Sequence, residues 1–240
     1  MVSFELRLLS EEEEQAMAPT LAFDIYGTLM DTNGVTQALR PHLGDRALAF
    51  SCAWRAKQLE YAFRRTVMGW YADFTICIAE ALDYTACAFH LSLTEADRAQ
   101  LLGGYQRLPA FQDAELALRE LQEAGYVSYA FSNGSRETVS KLLGDNALRT
   151  YVRDIVSVET VAAFKPSPQA YEAFQAAAGS RPEETWLVSS NPFDIIGAQA
   201  CGWRTVWVRR LPGAVFDPWG QEPDVTVASL ADLPRCLPPA

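Results

Sequence analysis

The sequence is short of cations, of histidine and of long apolar runs, and each shortage removes a class of function. Lysine and arginine number 20 against 30 aspartates and glutamates, a formal net charge of −10, so no nucleic-acid partner is expected. The 2 histidines, His42 and His90, have no metal-ligand spacing. No apolar run approaches the roughly 20 residues that span a bilayer, so no membrane partner is expected either. The 5 cysteines (Cys52, Cys77, Cys87, Cys201, Cys236) are odd in number and form no C-x-x-C pair. Neither a zinc site nor a disulfide framework is indicated, and the thiols read as small buried hydrophobes in a reducing compartment. The opening MVSFELRLLSEEEEQAMAPT lacks the basic start and sustained apolar stretch of a secretory signal. These absences together predict a cytoplasmic protein.

What is present points to a folded enzyme-sized chain. Its 240 residues are 49% hydrophobic, 11% aromatic and 21% charged, which excludes a disordered, collagen-like or coiled-coil chain and supplies a core. Part of the negative charge is local, since residues 1–20 hold five Glu against one Arg. Residues 1–19 therefore read as an acidic extension, a solvated or disordered tail or a frayed helix. An anionic substrate stays open, because a few converging cations set the field of a pocket.

Strands and helices alternate along most of the chain. Leu21-Ala22-Phe23 runs into Asp24-Ile25-Tyr26-Gly27-Thr28 and reads as a buried strand ending in a turn. From Val35 to Leu108 no strand is predicted; helices are expected near 46–68, 74–90 and 95–106, the last announced by the capping pattern Thr94-Glu95-Ala96-Asp97. Beyond Pro109, strands are expected near 126–131, 154–158, 185–188, 205–208 and 225–227, with helices between them. The predicted fold class is α/β, a Rossmann-like doubly wound parallel sheet with an inserted helical cap domain. Residues 20–34 and 109–240 would form the core and 35–108 the cap.

The strand ends carry the chemistry. Asp24, Ser132-Asn133, Lys165 and Ser189-Ser190-Asn191 follow apolar strands, and in a parallel sheet ligands bind outside the carboxyl ends. Taken singly, Asp24 and Ser132 serve equally well as turn or cap residues and Asn191 as a cap before Pro192. Together they describe a crevice. A carboxylate at Asp24 can attack a centre bearing a good leaving group. Lys165 would keep it ionised, and Thr28 and Ser132 can donate hydrogen bonds to it or to a substrate anion. Hydrolysis of the resulting covalent intermediate needs an oriented water, with Asp194 as candidate base and Asn191 and Ser189 positioning.

These motifs resemble those of the haloacid dehalogenase superfamily. Asp24-Ile25-Tyr26-Gly27-Thr28-Leu29 resembles its nucleophile motif, Ser132-Asn133-Gly134 its second, Lys165-Pro166 its third and Ser189-Ser190-Asn191-Pro192-Phe193-Asp194 its fourth. The resemblance runs from about Thr20 to Leu233. Superfamily phosphatases carry a general acid two residues after the nucleophile, where this chain has Tyr26, and paired acids in the fourth motif, where it has Ser-Ser-Asn before a single Asp194. Both departures are similar to the L-2-haloacid dehalogenase branch, in which halide leaves unprotonated and no metal or other cofactor is needed.

Trp54-Arg55-Ala56-Lys57-Gln58-Leu59-Glu60-Tyr61 resembles the branch's cap helix, so the halide-binding arginine maps to Arg55, with Leu59 on the same face. Phe74 and Phe193 fall at its apolar pocket walls, and Tyr171 stands at the expected offset after Lys165. The resemblance implies hydrolysis of short (S)-2-haloacids to (R)-2-hydroxyacids and halide. Ser132, Lys165 and the backbone amides of Ile25 and Tyr26 would hold the substrate carboxylate, and Arg55 and Asn133 the departing halide. It also implies a homodimer. Two alternatives stand beside it: a magnesium-dependent phosphohydrolase of the same superfamily, and a catalytically idle binding or regulatory module.

Overall fold

The structure is a computed structural model that describes residues 19–239. The acidic extension expected over residues 1–19 therefore lies outside the described residues, apart from Pro19. Six strands, β1 (Thr20–Phe23), β2 (Val127–Ser132), β3 (Asp154–Ser157), β4 (Thr185–Ser189), β5 (Arg204–Val208) and β6 (Val225–Val227), form one sheet in the order β3-β2-β1-β4-β5-β6. Every pairing is parallel. The central strands are buried throughout, which is why they read as unbroken apolar runs rather than alternating ones. The strand order reverses direction between β1 and β4, the switch point beside which doubly wound sheets bind ligands. Phe23 pairs there with Val188, and the Asp24 N–H donates to the Val188 carbonyl at 3.0 Å. The register thus delivers Asp24 and Ser189 side by side at the sheet's carboxyl edge.

Between β1 and β2 lie α1 (Gly34–Leu43), α2 (Ala47–Met68), α3 (Phe74–Ala88), α4 (Glu95–Tyr105) and α5 (Ala114–Glu123). α2 and α3 pack along their lengths, and the buried Trp54 indole donates to the Ile78 carbonyl at 2.8 Å. The Thr94–Asp97 capping box forms as the sequence predicts. Helix α1 was not anticipated: it starts on a glycine, carries Pro41 near its end and has no side-chain cap, so no local signal announces it. α3 stops at Ala88 rather than at His90, whose positive φ of 55° ends the turn. The remaining helices, α6 (Arg136–Asp145), α7 (Pro168–Ala178), α8 (Pro192–Ala200) and the short α9 (Leu233–Cys236), follow the strands.

The cysteine expectation needs correction. Only Cys77 is buried; Cys201 is half-buried and Cys52, Cys87 and Cys236 are exposed, because their positions fall off the apolar faces of their elements. Among the described residues no helix is long and apolar enough to cross a membrane.

Candidate active site

Asp24 leaves β1 into a tight turn and is 5% exposed. Gly27 makes that turn possible, with φ of 91° and Ser190 Oγ only 3.3 Å from where a Cβ would stand. The turn returns Thr28 beneath the carboxylate, and its hydroxyl donates to Asp24 Oδ2 at 2.7 Å. The Ser190 N–H donates in turn to Thr28 Oγ1 at 2.9 Å. Asn191 Nδ2 donates to the same Asp24 oxygen at 2.9 Å.

Lys165 is 1% exposed and its ammonium joins two carboxylates, Asp24 Oδ1 at 3.1 Å and Asp194 Oδ2 at 2.8 Å. It also donates to the Phe131 carbonyl at 3.0 Å and lies 4.6 Å from that residue's ring centroid. Burial works against its charge, but the two carboxylates outweigh burial and its pKa rises. An ammonium has three N–H donors, and all are committed to the protein. These three bonds hold Lys165 between the two aspartates at the sheet's carboxyl edge. Asp194, in the first turn of α8 and sealed from solvent, has its pKa pushed up by burial, with Lys165 and Tyr171 opposing. The Tyr171 hydroxyl donates to Asp194 Oδ1 at 2.9 Å; burial and then Asp194 raise that phenol's pKa, so it remains a donor.

The strand-end polar residues divide into two kinds. Ser132 Oγ accepts from the Gly134 N–H at 3.0 Å and Ser189 Oγ from the Asn191 N–H at 3.1 Å, local turn bonds of the sort that small polar residues make anywhere. Each still has a hydroxyl proton to donate. Asn191, by contrast, occupies the N-cap of α8 without making a side-chain cap bond; its amide goes to Asp24 instead. Asn133 Oδ1 accepts from the Lys165 N–H at 2.8 Å, which steadies the lysine loop and leaves the amide N–H groups of Asn133 for another acceptor. The backbone N–H groups of Ile25 and Tyr26 donate to no acceptor among the described residues.

Above this edge lies α2. Arg55 Nη2 reaches the Tyr26 carbonyl at 3.4 Å, and Leu59 is half-buried one turn later. Tyr26 is 3% exposed, and burial raises its phenol pKa. Phe74 is a core residue: it sits buried between Tyr26 and Phe164, with ring centroids at 5.6 and 5.9 Å, and so backs the Tyr26 wall. Phe193 packs edge-on against Phe63 at 5.1 Å and lines an apolar cleft of about 590 Å³ with Val67, Phe164 and Trp219. Among the described residues no three His, Cys, Asp or Glu side chains converge to hold a metal ion.

Two supports escaped the sequence reading. Arg210, just past β5, donates to the Thr28 carbonyl at 2.7 Å and pairs with Asp113 at 2.6 Å, holding the Asp24 turn from behind. The strand-end rule that found Asp24 reaches the position of Arg210 but not its partner Thr28, 182 positions away. Gln58, wholly buried beside Arg55, gave no signal beyond its place on the helix.

A family model described as haloacid dehalogenase-like hydrolase matches residues 18–202. A haloacetate dehalogenase H-2 from Moraxella sp. (strain B) is 39% identical over 207 residues, 86% of this chain and 92% of that protein. An (S)-2-haloacid dehalogenase from Pseudomonas sp. (strain YL) is 35% identical over 210 residues, 88% of this chain and 90% of that one. The solved L-2-haloacid dehalogenase from Xanthobacter autotrophicus with chloropropionic acid covalently bound superimposes with a TM-score of 0.84 at 32% identity, covering 91% of this chain and 98% of that one.

Proposed function

The chain belongs to the haloacid dehalogenase-like hydrolases, and on that premise we propose that it converts short (S)-2-haloacids to (R)-2-hydroxyacids and halide through an ester on Asp24, without a metal ion. The observation that carries this reading is the pinning of Asp24 and Asp194 by one buried ammonium. It orients the nucleophile and sets a second carboxylate next to it for the hydrolytic step.

The Ser132 hydroxyl, the Lys165 ammonium and the free N–H groups of Ile25 and Tyr26 hold the substrate carboxylate. An Asp24 oxygen attacks Cα opposite the halogen; the new C–O bond forms as the carbon–halogen bond breaks, and the halide departs with the electron pair toward Arg55 and the Asn133 amide. The halide needs no proton, so Tyr26 suffices where a phosphatase carries an acid. Water then attacks the Asp24 carbonyl carbon and gives its proton to Asp194. That proton passes to the departing hydroxyacid oxygen, the water's second proton is released to solvent, and the Asp24 carboxylate returns carrying the water's oxygen. Burial favours this use of Asp194, since a raised pKa makes a carboxylate a better base.

The magnesium-dependent reading is opposed by Tyr26, which stands where a phosphatase carries its general acid, and by Asn191, which gives Asp24 an amide where the paired acids of a metal site would stand. Helices α1–α4 act in this reading as the cap, and with Asp24 only 5% exposed they must part from the sheet to admit substrate. The homodimer belongs here too, supported by Val67 and Trp70, 88% and 70% exposed at the end of α2, apolar surface of the kind a second copy covers. A cytoplasmic location is part of the same reading. The test is halide release from (S)- and (R)-2-chloropropionate with and without chelator. Release from the (S) acid alone, unaffected by chelator, is expected; chelator-sensitive activity would overturn the metal-free reading.

A further inference from the structure

Gln58 is 0% exposed, on a helix whose other buried residues are Ala47, Phe50, Trp54 and Ala62. An amide in such a place lowers stability unless it is bonded, and a leucine would fill the space without that penalty. Yet Gln58 is only half satisfied: Oε1 accepts from Arg55 Nη1 at 3.4 Å, and Nε2 has no partner among the described residues. Tyr105 packs its ring against Trp54 at 4.9 Å, and burial raises its phenol pKa while the Arg55 charge opposes.

Arg55 itself makes no ion pair among the described residues, whereas Lys57 two residues on is paired with Glu60. Its two contacts, to Gln58 and to the Tyr26 carbonyl, are neutral acceptors at the long end of hydrogen-bond range. A glutamate at position 58 would hold the guanidinium more tightly but would cancel the charge that a departing anion needs. A glutamine aims the group and leaves the charge whole.

We propose that Gln58 is a positioning residue for halide departure, acting through Arg55: its carbonyl orients the guanidinium toward the leaving group without neutralising it. This rests on the dehalogenase reading above. Such a role is specific to the bond-breaking step, and so it must depend on the halogen. A chloride, the poorer leaving group, needs the guanidinium more than a bromide does.

The experiment compares Gln58→Leu, Gln58→Met and Gln58→Glu with the unaltered protein on (S)-2-chloropropionate and (S)-2-bromopropionate, with thermal unfolding of each variant recorded. The methionine variant keeps the side chain's length should the leucine variant fold poorly. For the uncharged variants, kcat on the chloro acid is expected to fall about tenfold and on the bromo acid about threefold or less. Gln58→Glu should lose more than either on the chloro acid. In an Arg55→Ala background, Gln58→Met should cause no further loss, because the residue it serves is gone. Equal losses on both acids, or losses that multiply with Arg55→Ala, would overturn the assignment while leaving the dehalogenase reading intact. No halide release by the unaltered protein from either acid would overturn that reading, and the Gln58 role with it.

Discussion

The ammonium of Lys165 lies 2.8 Å from the carboxylate of Asp194, and both side chains are sealed from solvent. The same nitrogen reaches Asp24 at 3.1 Å, so one cation compensates two buried anions. Removing it leaves charges that cannot be hydrated. Lys165→Met is expected to destabilise the fold by about 3–5 kcal/mol and to abolish halide release. Denaturant unfolding and a halide electrode measure the two effects; a stable, active variant would show that the carboxylates are compensated elsewhere.

Tyr171 sets a pH dependence. Its hydroxyl donates to Asp194 and draws down a pKa that burial has raised. Deleting the donor in Tyr171→Phe lets that pKa climb further. As the proposed base, Asp194 works only when ionised, so the acid limb of the kcat–pH profile should move to higher pH, with the loss greatest at low pH. A profile that merely drops without moving would remove Asp194 from the role of base.

Asn191 and Ser135 make a matched pair of cap positions with opposite duties. Ser135 caps α6 through a bond from the Thr138 N–H, whereas Asn191 spends its amide on Asp24. Ser135→Ala should therefore cost about 1 kcal/mol of stability with kcat on (S)-2-chloropropionate largely retained. Asn191→Ala should change stability by no more than about 1 kcal/mol while lowering kcat tenfold or more. Thermal unfolding beside steady-state kinetics separates the two.

The parts of the fold legible in the sequence are those written locally. Buried parallel strands appear as apolar runs, and the residue that follows each run falls at the sheet's carboxyl edge; that is enough to bring Asp24 and Asn191 into hydrogen-bond contact across the switch point. The Thr94–Asp97 box is legible for the same reason, both partners lying within one turn. Helix α1 is not, because its glycine start and Pro41 contradict its conformation and packing alone sustains it. Arg210 and Gln58 are hidden differently. Arg210 meets Thr28 across 182 positions of chain, and Gln58 is a polar residue whose burial only the assembled helices create. The hydrogen-bond shell of Lys165 likewise exists only in the fold, since the Phe131 carbonyl and the two aspartates come from three separate strand ends.

The ester on Asp24 is tested most directly by a single turnover of (S)-2-chloropropionate with enzyme in excess, in water enriched in the heavy oxygen isotope, followed by mass analysis of the peptide that carries Asp24. Backside attack by the carboxylate, then hydrolysis at its carbonyl carbon, places one heavy oxygen in Asp24 and none in the hydroxyacid. Heavy oxygen in the hydroxyacid with an unlabelled Asp24 would mean that water attacks the substrate itself, and would contradict the ester.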